Sequence, residues 1–484
     1  MNLHWHRRDL RVADNPALAA ATDSGLAVSL FVLDDAVLAH AAPARVAYLR
    51  RALSSLRESY RDRGSDLLVA RGDPETVLPD LATAVGADRV TWSVDYSGLA
   101  RERDARVRKR IAAETDATVE AVHGELHHEP GSITTNEGTH YSVYSYFWNK
   151  WRDRPKADPV AAPTEAALAS TDEITATLET ADAEDHLISS ADGIPTLAAL
   201  GFDEPDADLP QAGTAAARER LGDFCEEDIY RYADRRDFPA EECTSRLSGD
   251  LKWGTVGIRE VTAATEDALA HAPDTAAEDS VETFQSQLAW REFYMHVLDA
   301  RPDVVTTNFK PYANPIEWRH DPEGLQAWKD GQTGYPIVDA GMRQLRAEAW
   351  MHNRVRMLVA SFLTKDLLID WREGYDWFRR MLLDHDTAND TGGWQWAAST
   401  GTDAQPYFRI FNPMTQGERY DPDATYIRRY VPELREAAPE TIHRWTVVDQ
   451  AEREAAAPDY PAPIVDHADR REEAIETFER ARGG

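Results

Sequence analysis

Through the first 125 residues, short apolar runs alternate with longer amphipathic stretches. The runs fall at residues 3–5, 27–33, 67–70, 90–94 and 118–122, and the stretches 43–63, 74–85 and 98–115 repeat apolar residues at helical spacing. Strands that are apolar on both faces, each followed by a helix, predict a parallel sheet covered by helices. After the first run, where a dinucleotide-binding fold carries GxGxxG, this chain has His6-Arg7-Arg8-Asp9. The sheet is therefore expected to be Rossmann-like in topology but without that phosphate loop.

Residues 155–214 are rich in Ala, Asp, Glu, Pro and Thr and poor in aromatics, which predicts a connector running over the surface. Beyond it, apolar periodicity of helix length without β-branched runs, as at 281–299 and 353–370, predicts an all-α domain. Ten of the fourteen tryptophans lie beyond residue 250. The expected organisation is α/β plus all-α: an N-terminal α/β domain over 1–130, a connector over 131–214 and a helical domain over 215–484.

Asp and Glu outnumber Lys and Arg by 85 to 53, for a net charge of −32. Only seven of those 53 cations are lysines, and the acid excess sits in alanine-rich polar stretches, the composition of a halophile's surface. In molar salt the Debye length is about 3 Å, so such carboxylates hardly repel one another or a phosphate. Taken alone, this charge argues against a nucleic-acid partner. No apolar run is long enough to span a membrane and no leader precedes the first strand, so the chain is expected to be soluble, cytoplasmic and without a membrane partner. Cys225 and Cys243 fit neither a disulfide framework nor a CxxC motif.

Three stretches invite chemistry. Thr244-Ser245-Arg246-Leu247-Ser248 brings hydroxyls to a helix start, which reads either as an N-cap or as a phosphate site. The run 384–390 superficially resembles a calcium loop but has Asn389 and Gln395 where Gly and Glu are required, and Gly124 and Pro130 break the helix that ligation by His123, His127 and His128 would need; no metal is expected. In Gly392-Gly393-Trp394-Gln395-Trp396 the two tryptophans lie about 200° apart on a helix, so they address opposite sides.

In order along the chain stand His4-Trp5-His6-Arg7-Arg8-Asp9-Leu10-Arg11, Trp290-Arg291-Glu292-Phe293-Tyr294, Thr333-Gly334-Tyr335-Pro336, Trp350-Met351-His352-Asn353-Arg354, Gly392-Gly393-Trp394-Gln395-Trp396 and Arg409-Ile410-Phe411-Asn412-Pro413. On these motifs the chain resembles the cryptochrome/photolyase family, closest to its class I members that repair cyclobutane pyrimidine dimers, and looks like one from a halophilic archaeon. The resemblance implies a bent FAD in the helical domain, with Tyr232, Thr244, Ser245, Leu247 and Ser248 around its phosphates and ribityl chain. Asn353, Arg356, Asp384, Asp386 and Asp390 would surround the isoalloxazine. UV-damaged DNA would be the partner, its dimer flipped into a pocket walled by Gln287, Trp290, Asn353, Arg354, Met357 and Trp396, with Arg409 also on the DNA. Trp394, Trp371 and Trp318 would pass electrons to the flavin. Excited reduced FAD would then split the dimer by electron transfer, so that neither triad nor metal is needed.

The resemblance further implies an antenna chromophore in the sheet domain. Residues 42–49 are similar to those of members carrying 8-hydroxy-5-deazaflavin, which is favoured over a folate, and a monomer is expected. Two positions depart from the pattern: Gln287 replaces a Glu at the lesion, and Asp390 replaces the Asn facing flavin N5. An Asp there resembles plant members and, unlike Asn, can carry a proton. The rival reading is a cryptochrome-type blue-light photoreceptor, against which Trp290 and Met357 keep the dimer-repair pattern.

Overall fold

Five strands form at the five apolar runs: β1 (Asn2–His6), β2 (Ala27–Leu33), β3 (Leu67–Arg71), β4 (Arg89–Ser93) and β5 (Thr118–Val122). All pair in parallel, in the order β3-β2-β1-β4-β5. This computed structural model describes residues 1–180, 187–188 and 193–483.

Every residue of β2 is buried, and its side chains alternate between two cores. Ala27, Phe31 and Leu33 face the helix Pro43–Arg61, whereas Val28, Leu30 and Val32 face the helices Pro74–Ala84 and Gly98–Glu114. Helices on both faces of a parallel sheet are the expected fold. The order of strands reverses at β1, where an open α/β sheet leaves a crevice beyond the strand ends. His6-Arg7-Arg8-Asp9 leaves β1 at that point and turns toward the helical domain.

The connector contributes to the cores as well as covering them. Ala169 and Ile174 enter one cluster and Leu168, Leu197, Leu200 and Leu209 the other, with Ala169 N–H donating to Ala27 O at 2.9 Å. The acidic run 182–185 lies outside the described residues. Earlier in the expected connector, Ile133, Phe147 and Trp151 pack into a core of the helical domain.

In that domain a 26-residue helix, Thr275–Ala300, starts at Asp274, whose side chain accepts from Ala277 N–H. The periodic stretch 353–370 is not one continuous α-helix. The helix Asn353–Ser361 passes into a π-turn, Phe362–Asp366, and the chain then reverses with Leu368 at φ 53°. Buried polar anchors hold that turn: Lys365 Nζ donates to Ala398 O and Ser399 Oγ, and Asp366 bonds His467. The helix Thr387–Ala397 is wedged between two others at glycines. A Cβ on Gly392 would lie 2.2 Å from the Tyr294 ring, and one on Gly374, in the helix Trp371–Met381, would lie 2.1 Å from the Trp394 ring. Among the described residues no helix is long and apolar enough to cross a membrane.

Candidate functional site

A cavity of about 510 Å³ opens in the helical domain where these helices converge. That volume lies in the range of ligand sites, about 300–1,000 Å³. Tyr232, Thr244, Ser245, Leu247 and Ser248 line one wall; Gln287 and Trp290 come from the helix Thr275–Ala300; Asn353, Arg356 and Met357 come from the helix Asn353–Ser361. Asp384, Asp386, Asp390, Trp394 and Trp396 complete the lining. Of the residues singled out in the sequence, Arg354, Arg409, Trp318 and Trp371 do not line it.

The hydroxyl wall is not an N-cap. The helix Ser248–Trp253 begins after Leu247 with no side-chain cap, Arg246 before it sits at φ 52°, and Ser248 Oγ instead accepts from Trp350 Nε1 at 3.1 Å. A phosphate-type environment is thereby left open on that wall.

The opposite wall concentrates charge. Arg356 donates to Asp384 at 2.7 Å, and the second oxygen of Asp384 is buried without a partner. Arg8, reaching over from the end of β1, donates to Asp386 at 2.6 Å and pairs with Glu125 at 2.7 Å, while Arg291 also reaches Glu125. Burial works against the charged form of Asp386, yet Arg8, Lys252 and Arg291 hold its carboxyl far below the usual range. Burial, with Arg8 adding to it, pushes the Lys252 amine down to about 8, and Lys252 forms no salt bridge among the described residues. Among the described residues no salt bridge joins Asp390 to an Arg or Lys; His385 Nδ1 lies 2.6 Å from its Oδ2.

The aromatic wall is built by stacking. Trp290 stacks on Tyr144 at 3.7 Å between centroids and 10° between planes, and Trp396 tilts against Phe411 at 6.4 Å. Gln287 accepts from Arg236 at 3.3 Å and donates to Thr283 O, so it is held within its own helix turn at the mouth. Asn353 and Met357, one helical turn apart, touch at 3.8 Å. Arg354 pairs with Asp237 at 2.6 Å and lies over the Tyr420 ring; Arg409 is exposed on the loop beyond.

Of the three tryptophans singled out for electron transfer, Trp394 and Trp371 are buried and Trp318 is partly exposed. Trp394 is 2% exposed and packs edge-on against Phe378 and Trp328, and Gly374 fixes its ring over the first turn of the helix that Trp371 begins. Trp371 is fully buried and donates to Asn308 Oδ1 at 3.0 Å. Trp318 is half-buried on Phe478, and its neighbour Arg319 bonds Leu368 O, just before Trp371.

One described cluster has metal-ligand spacing, His4, His6 and Asp9. It is already closed by hydrogen bonds: His4 to Thr91, His6 to Tyr60 and Asp9 O, and Asp9 to Arg7 N–H and Ser93. Sequence reasoning missed Arg8, Lys252, Arg291, His385 and Tyr144 as parts of the pocket's surroundings. Arg8 stood within a quoted motif, but its contact with Asp386 spans 378 positions and no periodicity announces it.

Comparison with known proteins gives two family models in chain order. Residues 2–166 match "DNA photolyase" and residues 284–480 match "FAD binding domain of DNA photolyase". A deoxyribodipyrimidine photo-lyase of Halobacterium salinarum is 58% identical over the whole of both chains. Among solved structures, a class III photolyase from Agrobacterium tumefaciens superposes with TM-score 0.86 at 34% identity, covering 100% of this chain and 98% of that one. A Sulfolobus tokodaii photolyase with two FAD molecules superposes with TM-score 0.80 at 28% identity, covering 99% and 100%.

Proposed function

The chain belongs to the cryptochrome/photolyase family, and from that membership we propose that it is a light-driven lyase that binds FAD in this pocket and splits cyclobutane pyrimidine dimers in DNA. The observation that carries the reading is one cavity on which a hydroxyl wall, paired acids and a stacked aromatic wall converge. FAD fits the donors present. The free buried oxygen of Asp384 asks for an N–H, Lys252 faces the cavity able to meet an anion, and Gly393 leaves open space where a Cβ would stand. The acid-rich surface is that of a halophile's protein, in line with the Halobacterium relative.

Tyr232, Thr244, Ser245, Leu247 and Ser248 would hold the pyrophosphate and ribityl portion, and Asn353, Arg356, Asp384, Asp386 and Asp390 the isoalloxazine. Bound and reduced, FAD supplies under blue or near-ultraviolet light the electron that opens the dimer and is returned afterwards. The protein's own task is placement. Trp290, backed by Tyr144, and Trp396 give flat surfaces to the two linked bases of an extruded dimer, and Met357 adds an apolar side chain to the same lining. Gln287 and Asn353 offer hydrogen bonds to the dimer's polar edge, while Arg354 and Arg409 meet the flanking phosphates. Trp394, Trp371 and Trp318 form the route by which electrons reach the pocket from solvent.

In molar KCl, DNA carrying one dimer should lose it in the light and keep it in the dark. Equal dimer content in both would refute the repair reading and favour the photoreceptor. For the sheet domain we keep 8-hydroxy-5-deazaflavin, on residues 42–49, with folate and a second FAD as competitors; mass spectrometry of the released chromophore decides. A monomer is expected by light scattering.

A further inference from the structure

Four acids line the pocket, and only one of them is bonded to a histidine. Asp237 is held by Arg354. Asp384 is held by Arg356 and Asp386 by Arg8, guanidiniums that stay charged at any working pH. Asp390 instead meets the His385 imidazole at 2.6 Å, with both side chains less than a tenth exposed. We infer that His385 and Asp390 form a proton-sharing pair that sets the protonation state of the flavin's reduced forms, His385 acting as the positioning residue for Asp390. The inference rests on the FAD reading above.

The geometry divides the carboxylate in two. Oδ2 is taken by the imidazole Nδ1, which leaves Oδ1 for the cavity that Asp390 lines. An imidazole differs from a guanidinium here because its proton can leave, so the bond can exist with one proton fewer or more. Around the pair stand Tyr375, whose ring is 5.7 Å from His385 in the helix Trp371–Met381, together with Arg379 and Asp384. From the other side come Lys252 and, out of the sheet domain, Arg45. Arg45 bonds the carbonyls of His40, Arg379 and Arg380 through Nη2 and acts on Asp390 as a nearby charge, with no hydrogen bond between them.

Burial lowers His385, with Arg45 and Lys252 acting the same way and Asp390 opposing them. These influences favour the neutral imidazole, whose Nδ1 donates to Oδ2 or accepts from it according to where the shared proton sits. A second proton taken up by the pair is available to the cavity, and its release returns the pair to the resting arrangement. No other acid on that wall can do this, since Asp384 and Asp386 are locked to arginines.

The test uses the FAD-loaded wild type, His385→Gln and Asp390→Asn in molar KCl. Each is partly photoreduced, and the pH at which the flavin spectrum switches between its protonated and deprotonated forms is read. His385→Gln should move that pH by about one unit, a tenfold change, with FAD content unchanged, and Asp390→Asn should move it at least as far. A shift in Asp390→Asn with none in His385→Gln overturns the role of His385 and leaves the FAD reading standing. No shift in either overturns both the pair and the placement of Asp390 beside the flavin. Should His385→Gln fail to fold, ¹⁵N-histidine NMR of the wild type decides: the His385 nitrogens should respond to flavin reduction, and silence there overturns the inference.

Discussion

Replacing Glu292 by Gln separates the two charge states of one buried carboxyl. Glu292 is 2% exposed, and its oxygens accept the backbone N–H groups of His127 at 3.0 Å and His128 at 3.1 Å. That ties the helix Thr275–Ala300 to the segment following β5. Burial pushes the carboxyl up from 4.5 to about 7, against the pull of those N–H groups. A folded-state pKa raised above the unfolded one gives stability that is complete below pH 4.5 and lost as pH rises through 7. The gap between the two values corresponds to about 3 kcal/mol.

Glutamine escapes that loss because it cannot ionise. It has one acceptor oxygen in place of two, so one N–H goes without a partner at every pH, costing about 1–3 kcal/mol. Glu292→Gln should therefore be less stable than the wild type near about pH 5, and should draw level with it or overtake it near about pH 8, a relative swing of about 3 kcal/mol. Urea unfolding of both proteins in molar KCl at the two pH values measures it. His127, His128 and His296, which burial holds near 3 to 4, titrate in the opposite sense but in both proteins alike, and so cancel in the difference. A stability gap that is equal at both pH values, or that widens toward the higher one, would refute the reasoning.

Three further outcomes follow from the pocket. Arg356→Leu strands Asp384 as an unpaired buried charge and should cost about 3–5 kcal/mol with loss of bound flavin; a wild-type melting temperature and flavin content would contradict it. Gly374→Ala drives a methyl into the Trp394 ring; overpacking of about 1–3 kcal/mol should outweigh the helix gain of about 1 kcal/mol, lowering the melting temperature and slowing flavin photoreduction. Trp290→Ala should weaken binding of dimer-containing single strands by about 1–3 kcal/mol while leaving undamaged strands nearly unaffected, which fluorescence anisotropy resolves.

The sheet was legible because periodicity is a local signal: all five apolar runs became strands within two residues of their expected ends. The helix 353–370 was misread in its second half because Lys365 and Asp366, polar residues in an apolar pattern, are anchored by Ser399 and His467 far along the chain. The same blindness governs the pocket. Residues that lie together in a motif, such as Trp394 and Trp396, could be assigned sides from helical geometry alone, and the structure gives them a buried and a half-exposed setting. Arg8 with Asp386, Tyr144 with Trp290 and His385 with Asp390 required coordinates, the last because a histidine five residues before an acid carries no pattern of its own.

The acid-rich surface and the buried charges answer to different physics. At molar salt a surface ion pair is screened within about 3 Å, so the many exposed pairs on this chain contribute little to holding its domains together. Beside the exposed Arg101–Asp299 pair, a more buried charged set crosses from sheet to helical domain. Arg8 gathers Glu125, Asp95 and Asp386 behind the pocket, Arg291 shares Glu125, and Lys252 stands beside them, three cations against three acids. Salt screens such a largely buried set much less than a surface pair, and removing one member leaves an uncompensated charge in a low-dielectric setting. The reversal of strand order at β1, a place where open α/β sheets commonly bind a ligand, here launches the arginine that fastens one domain to the wall of the other's pocket. A chain of net charge −32 can thus keep the relation of its sheet domain to its pocket fixed over the whole salt range in which its surface is silent.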